Sequence, residues 1–237
     1  MFRSRLAQAI LPLLTATATQ AVTLTSLDWP PYTGATLPGQ GKTSEVVKAA
    51  FTAAGEPLTI KFLPWQRAVD EAKANPEVVG YFPEYQDPQS PCLFSDPIGH
   101  GPLGFAQQQA NPVTWQSLDD LKGKKIGVVT GYVNTADFDS RVASKALSVD
   151  ATTSDAQNLL KLGNGRLDLA VIDKNVMGFL LQSDPKLQGL ADKIGFNDRL
   201  LEDKTLHVCF TDTPQGREAL ARFNQALTRE AVKKLME

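Results

Sequence analysis

Two series of alternating strand-like and helix-like segments constrain the fold of this chain more than any other sequence feature. The first series runs through strand-like "VTLTSLDW", helix-like "SEVVKAAFTAAG", strand-like "LTIKFL", helix-like "PWQRAVDEAKANP" and strand-like "VVGYF". The second begins near Asn111, and its strand-like segments "KKIGVVTG", "LSVDATT" and "LDLAVID" are separated by helix-like ones. Because parallel strands need a crossover between them, this alternation predicts two α/β units with mostly parallel sheets.

The segments between and after the two series predict how the units are joined. The extended run "GPLGFAQQQANPVTW" lies between the series and predicts a crossing from one unit to the other. After the second series only a strand, "KTLHVCFTD", and one long helix over "PQGREALARFNQALTREAVKKL" remain. One strand and one helix cannot bury their own apolar faces, so they must return to the first unit or cap the second. The sequence therefore predicts two lobes with two connections, and hence a cleft and a hinge.

The N-terminal segment predicts export. Arg3 and Arg5 precede a short apolar stretch and the small-residue segment "TATATQA", a composition typical of a cleaved signal peptide over residues 1–21. The apolar stretch is too short to span a bilayer. The alternative is the first helix of a cytosolic domain, and the lack of acidic residues in this segment favours the signal peptide.

Charge and cysteine content narrow the classes of partner. The chain has a net charge of −2 and no basic run, so no nucleic-acid partner is expected. Cys92 and Cys209 could form a disulfide in an oxidising compartment, or could be two small buried hydrophobic side chains. His100 and His207 are isolated from each other and from the cysteines. No metal site and no cofactor are therefore expected.

Aromatic residues follow three strands of the first unit, in "DWPPYTG", "LPWQRA" and "GYFPEY". Loops at the carboxyl ends of parallel strands are where open α/β sheets bind ligands, and three aromatic strand ends favour a flat or apolar ligand. The alternative is that several of these residues pack in the core or the hinge, which we expect of Phe82 at least. The candidate ligand-binding residues of the first unit are Trp29, Tyr32, Trp65, Arg67, Phe82 and Tyr85.

The segment "KIGVVTGYVNT" predicts a strand, a glycine turn and a helix start. Backbone amides at such a helix N-terminus favour an anion, which makes Thr130, Gly131, Tyr132 and Asn134 candidates for ligand binding. The alternative is an ordinary turn in which Asn134 or Thr135 caps the helix.

Asp173 ends the apolar strand "LAVID" and needs a partner there. It could receive a ligand ammonium group, or it could equally cap the following helix. The sequence contains no nucleophile elbow, no HExxH motif and no paired Ser-His or Cys-His arrangement, so no catalytic residue is proposed.

The segments "DWPPYTG", "FLPWQRAVDEAK", "LFSDPIG", "LDDLKGKKIGVVTGY", "GRLDLAVID" and "RFNQAL" resemble, in order, the amino-acid-type (family 3) periplasmic solute-binding proteins of bacterial ABC importers. The resemblance implies a two-lobed type II periplasmic-binding fold, with residues 22–109 and 204–237 in lobe 1 and residues 110–203 in lobe 2. It also implies a monomeric, non-catalytic periplasmic protein. Such a protein captures a small polar or aromatic solute, an amino acid or a related compound, and delivers it to an inner-membrane ABC permease.

The sequence departs from this family where a ligand carboxylate would be bound. Relatives usually carry a Thr-Pro-Glu-Arg-like motif before "FSDP", whereas "QDPQSP" stands here and no Arg lies between Arg67 and Arg141. Three hypotheses remain: Arg67 takes a carboxylate, the Gly131 turn does, or the ligand has none. Asp173 matches the position that often faces the ligand amine in the family. Two other functions stay open, a dehydratase-like enzyme on the same fold and a periplasmic partner or sensor that has lost amino-acid binding.

Overall fold

The computed structural model describes residues 21–236, so residues 1–20 of the expected signal peptide lie outside it. The described part contains ten strands and seven α-helices. The strands are β1 Val22–Ser26, β2 Leu58–Phe62, β3 Val78–Tyr85, β4 Leu93–Phe94, β5 Gly99–Gln108, β6 Ile126–Val129, β7 Val149–Thr152, β8 Leu169–Asp173, β9 Ile194–Phe196 and β10 Glu202–Phe210. The helices are α1 Lys42–Ala54, α2 Trp65–Ala74, α3 Ala136–Ala143, α4 Asp155–Gly163, α5 Lys174–Ser183, α6 Pro214–Leu227 and α7 Glu230–Lys233.

Two groups of parallel strands are joined by two antiparallel ones. The order along the sheet is β2-β1-β3-β10-β5-β8-β6-β7. Strands β2, β1 and β3 form the first strand group, and strands β8, β6 and β7 form the second; within each group the neighbours are parallel. Strands β10 and β5 run antiparallel to their neighbours and link the groups. The predicted pair of α/β units with two connections is therefore confirmed.

Helices cover each strand group with apolar faces that the sequence pattern dictates. In α1, Val47 and Phe51 are fully buried, and α1 packs on α6 through a contact between the rings of Phe51 and Phe223, 5.2 Å apart. In the second group, α4 packs against β5, β6 and β8, with Leu159 and Leu162 fully buried. The last strand and helix thus return to the first group, which was one of the two predicted outcomes.

The sequence pattern predicted one long C-terminal helix, but the structure has two helical segments there. Helix α6 ends at Leu227 and a separate turn, α7, begins at Glu230. Thr228 lies at the break, and its hydroxyl donates a hydrogen bond of 2.7 Å to the carbonyl of Gln225. A β-branched residue whose hydroxyl bonds back to the preceding turn competes with helix continuation.

The segment "SLDDLKG" forms a 3-10 turn over Leu118–Leu121. The turn is capped at its start, because the Asp120 carboxylate accepts a hydrogen bond of 2.8 Å from the backbone N–H of Ser117. A single turn without an apolar face to extend favours the tighter i→i+3 pattern.

Cys92 and Cys209 are joined by a disulfide, which decides between the two alternatives left open by the sequence. The bond ties the loop after β3 to strand β10, across a sequence separation of 117 residues. Within residues 21–236, none of the helices has the length and apolar character needed to cross a membrane.

Candidate functional site

The site lies where the carboxyl ends of the two parallel strand groups face each other. Segments after β1, β2, β6 and β7 approach one another there and enclose two adjacent cavities. The first cavity, about 30 Å³, is lined by Leu27, Trp29, Trp65, Pro83, Glu84, Tyr85, Tyr132, Val133 and Leu206. The second cavity, about 450 Å³, is lined by Leu27–Pro30, Phe62–Trp65, Tyr132, Thr153–Ala156, Val176 and Leu180.

Aromatic rings from both strand groups form the shared wall of the cavities. Trp29 stacks on Tyr32 with ring centroids 4.8 Å apart and meets Tyr85 and Tyr132 edge-on at 6.1 and 6.5 Å. Trp65 meets Tyr132 edge-on at 6.0 Å. Such edge-to-face pairs fix the ring orientations as well as burying area. The structure thus brings together four of the aromatic residues predicted from the strand ends, and adds Tyr132 from the Gly131 turn.

Hydrogen bonds cross directly between the two groups. The indole N–H of Trp29 donates to the Asp155 carboxylate at 3.2 Å, and that of Trp65 donates to the carbonyl of Gly131 at 2.9 Å. The loop after β1 and the start of α2 are therefore each fastened to the opposite strand group. These bonds must break for the two groups to separate.

Asp173 caps helix α5 and also faces the first strand group. Its carboxylate accepts hydrogen bonds from the backbone N–H groups of Asn175 and Val176, at 2.7 and 3.1 Å, and from the hydroxyl of Tyr32 at 3.1 Å. A side chain at Gly101 of β5 would clash with both the Asp173 carboxylate and the Tyr32 hydroxyl, so this close approach needs glycine. The capping alternative for Asp173 is confirmed, and the carboxylate has little remaining exposure, 1%.

Three carboxyl groups around the site are held above their ordinary pKa by burial. Desolvation raises the pKa of Glu84 to about 8, that of Asp155 to about 7 and that of Asp173 to about 6. The hydrogen bonds from Trp29 to Asp155 and from the amides of α5 to Asp173 oppose this effect. Buried carboxyl groups with raised pKa values gather at this face of the molecule, which is typical of functional sites.

The Gly131 turn does not open directly into a helix. Helix α3 begins at Ala136, and Thr135 is its N-cap, accepting a hydrogen bond from the N–H of Phe138. The N–H of Tyr132 donates to the carbonyl of Val129 at 3.2 Å, and that of Asn134 donates to the Asp139 carboxylate at 2.8 Å. The predicted row of free amides at a helix start is therefore wrong, because two of them already have partners. Tyr132 contributes its ring to the site instead.

Seven predicted site residues line neither cavity: Tyr32, Arg67, Phe82, Thr130, Gly131, Asn134 and Asp173. Phe82 is fully buried, and its carbonyl accepts a hydrogen bond of 2.7 Å from the Ser26 hydroxyl, which fits the packing role expected of it. Thr130 is exposed, and its N–H donates to the carbonyl of Thr152. Arg67 is exposed on α2 and forms no ion pair with any residue between 21 and 236.

Arg67→Ala is expected to change the free energy of unfolding by less than about 0.5 kcal/mol, because an exposed and unpaired side chain contributes little. Urea unfolding of the variant beside the unmodified protein measures this. The same variant is expected to bind its solute with unchanged affinity, measured by calorimetry. A loss of affinity for a carboxylate-bearing solute by tenfold or more, at unchanged stability, would restore Arg67 as a carboxylate clamp.

Sequence reasoning missed three polar residues in or beside the site, Glu84, Asp155 and Asn175. Asp155 follows β7 as Trp29 follows β1 and Trp65 follows β2, so the strand-end argument applied to "DATTSDA" would have found it. Glu84 lies inside the quoted "GYFPEY", but nothing in the sequence shows that it is buried. The amide of Asn175 donates to the Tyr32 hydroxyl at 2.8 Å, a contact across 143 residues without a sequence signal.

No protein-family model and no curated protein matches the sequence. Solved structures do match over most of the chain. A histidine kinase sensor domain with similarity to periplasmic binding proteins is 16% identical, with a TM-score of 0.76, over 92% of this chain and 96% of the other. An ancestral arginine-binding protein bound to arginine is 17% identical, with a TM-score of 0.73, over 92% and 97%. The arginine-, lysine-, histidine-binding protein ArtJ from Geobacillus stearothermophilus is 19% identical, with a TM-score of 0.68, over 88% of each chain.

At these identities the likeness concerns the fold. The strand order, the two linking strands and the cleft at the strand ends agree with it. The expected architecture is therefore confirmed: the chain has the two-lobed α/β fold of type II periplasmic binding proteins.

Proposed function

We propose that this protein captures a small polar or aromatic solute, an amino acid or a related compound, between its two lobes and delivers it to an inner-membrane ABC permease. The observation that carries the proposal is the pair of cavities between the strand groups, lined by residues from both. The second cavity, about 450 Å³, falls in the range of small-molecule sites, about 300–1,000 Å³, and the first, about 30 Å³, adds a small recess beside it. Binding proteins for arginine and other amino acids share the fold.

The same proposal includes the bounds of the two lobes and the residues that contact the solute. Lobe 1 comprises residues 22–109 and 204–237, and lobe 2 comprises residues 110–203, so that β5 and β10 carry the hinge. The residues proposed to contact the solute are Trp29, Trp65, Tyr85 and Tyr132, which line the cavities, with Tyr32 and Asp173 behind Trp29; Glu84 and Asp155 are added from the geometry. The protein acts as a monomer in the periplasm, after cleavage of residues 1–21.

A sensory role is the second candidate, because a histidine kinase sensor domain has the same fold at a TM-score of 0.76. A sensor and an importer component use the same cleft, but only the importer component is needed for uptake. Uptake of the bound solute, measured with and without the gene, separates the two roles.

A dehydratase-like enzyme is the less favoured hypothesis, since the similar solved structures are binding and sensor proteins.

Solute binding is expected to close the lobes and reduce the radius of gyration. The two lobes are linked by β5 and β10, and Trp29 and Trp65 fasten them across the cleft, so binding stabilises a state in which these contacts form. Small-angle X-ray scattering at saturating solute, beside a solute that calorimetry shows not to bind, measures the change. An unchanged scattering profile at saturation with a bound solute would contradict closure.

A further inference from the structure

We propose that the solute is an organic ammonium ion without a free carboxylate, held against the aromatic wall of the cavities with Glu84 and Asp155 as its counter-ions. This inference rests on the proposed function and narrows it to one class of solute. Of the three hypotheses for a ligand held without the arginine typical of the resembled family, this inference selects the one in which the ligand has no carboxylate.

The aromatic wall supplies the surfaces that a cation needs. Trp29, Trp65 and Tyr132 line both cavities, and Tyr85 completes the first. A cation over the face of an aromatic ring is attracted by the ring quadrupole, most strongly for Trp, and desolvation increases the effect. Three of these four side chains are less than a tenth exposed, so the attraction acts in a poorly hydrated space.

The two carboxyl groups line these cavities without forming an ion pair with a described residue, although Lys204 and Lys73 are near enough to act on Glu84 at longer range. Glu84 is 8% exposed and lines the first cavity; Asp155 is 5% exposed and lines the second. Their hydrogen-bond donors are neutral: the N–H of Tyr85 for Glu84 and the indole of Trp29 for Asp155. No Lys, Arg or His lines either cavity in the part of the chain that the structure describes. A carboxyl group buried here without a charge partner tends to hold its proton, and a bound cation would supply the partner that the ionised form needs.

The hydroxyl of Tyr85 is a separate indication of a polar ligand. Tyr85 is 6% exposed and lines the first cavity, yet its hydroxyl has no hydrogen-bond partner within residues 21–236. A buried hydroxyl without a partner costs about 1–3 kcal/mol, so such groups in folded proteins call for an explanation. An ammonium N–H, or a hydroxyl carried by the cation, can complete it.

The same surroundings disfavour a ligand carboxylate. It would lie among Glu84, Asp155 and Asp28, which lines the second cavity, and like charges at such distances repel. Lys204 is the one cation that reaches the ring of Tyr85, with its Nζ 5.3 Å from the centroid, among the described residues. Its Nζ is already paired with the Glu202 carboxylate at 3.3 Å.

Two matched sets of compounds test the inference by titration calorimetry of the purified protein. The first is choline, its neutral isostere 3,3-dimethylbutan-1-ol, and glycine betaine, which adds a carboxylate. The second is phenethylammonium, its neutral isostere 2-phenylethanol, and phenylalanine. In at least one set the cation is expected to bind at least tenfold more tightly than both other members, a difference of about 1.4 kcal/mol.

Equal or tighter binding by the neutral or the carboxylated member overturns the inference, as does failure of both cations to bind. A wider panel that includes arginine, glutamine and glutamate keeps this result separate from the proposed function. If an amino acid binds and closes the lobes while the cations do not, the solute-binding role stands and only the cation is excluded. If no solute in the wider panel binds, both proposals fail.

The variant Glu84→Gln is expected to weaken binding of the cation at least tenfold while leaving the affinity for its neutral isostere within twofold. Glu77→Gln is the matched control, because it removes the same charge from an exposed residue outside both cavities. Asp155→Asn is a second variant in which the indole of Trp29 keeps an acceptor. Unchanged cation affinity in both folded variants contradicts the assignment of these carboxylates.

Discussion

Removing the disulfide between Cys92 and Cys209 is expected to lower the free energy of unfolding by about 4 kcal/mol. A cross-link over a separation of 117 residues restricts the unfolded chain strongly, and loops of this length give about 4–5 kcal/mol in the chain-entropy model. The bond also holds the loop after β3 against β10, one of the two strands that join the lobes. Urea unfolding of the Cys92→Ala/Cys209→Ala double variant measures the change.

Reduction of the unmodified protein is the control for lost packing in this experiment. Cys209 is 3% exposed, so its replacement by alanine also removes a buried sulfur. Reduction with dithiothreitol breaks the cross-link and keeps both side chains. If the reduced protein unfolds within about 1 kcal/mol of the oxidised one, the cross-link does not provide the stability expected of it.

The architecture could be predicted from the sequence because it depends on local patterns that repeat. Alternating strand-like and helix-like segments gave two parallel strand groups, and the extended run before Asn111 corresponds to the linking strand β5. The lone C-terminal strand had to pair with one of the groups. Its pairing with both β3 and β5 depends on which edges the two groups leave open, and that is a property of the assembled sheet.

The candidate site could be predicted in part, because the carboxyl ends of parallel strands meet at one edge. This rule placed Trp29 and Trp65 in the same region, and the structure brings both rings into contact with that of Tyr132. The rule does not, however, predict which residue of the opposite lobe each aromatic side chain contacts. The contact between Trp29 and Asp155 joins residues 126 positions apart, and only the closed arrangement of two lobes creates it.

Burial is the property that the sequence could not supply for the acidic residues. Glu84 lies in a strand whose composition, "VVGYFPEY", gives no sign that its carboxyl group is more than nine-tenths buried. Its surroundings come from β10 and from the loops after β1 and β2, which are distant in sequence. Ionisation behaviour, and with it the charge of the site, follows from that burial rather than from the residue type.

The free energy of unfolding is expected to fall as the pH rises from about 5 to 9. Burial raises the pKa of Glu84 from 4.5 to about 8, so in this range the folded protein holds a proton that the unfolded chain has released. The stability from this group is complete below pH 4.5 and is lost as the pH rises through about 8. The loss from Glu84 alone is on the order of 4 kcal/mol, since one pKa unit corresponds to about 1.4 kcal/mol.

Neighbouring charged groups modify this dependence without reversing its sign. Asp87 raises the pKa of Glu84 further, whereas Lys204 and Lys73 lower it. Asp155 and Asp173, with pKa values raised to about 7 and about 6, add declines of the same sign at lower pH. Burial lowers the pKa of His207, so the contribution of this residue to the free energy of unfolding increases with pH instead. That increase is confined to pH values below 6.5, the ordinary pKa of histidine.

The variant Glu84→Gln isolates the contribution of this one carboxyl group. Glutamine cannot ionise, so unfolding in urea between pH 5 and 9 should show a decline smaller by on the order of 4 kcal/mol than in the unmodified protein. Glu77→Gln, which changes an exposed carboxyl group, should keep the full decline. If the Glu84 variant declines as steeply as the unmodified protein, Glu84 is ionised in the folded state across this range. A cation bound at the site would then have a permanent counter-ion in Glu84, and only the ionisation of Asp155, with its pKa of about 7, would make the affinity for choline depend on pH between 6 and 9. With the raised pKa of Glu84, affinity for choline should increase more over that range, because the cation binds the ionised form of Glu84.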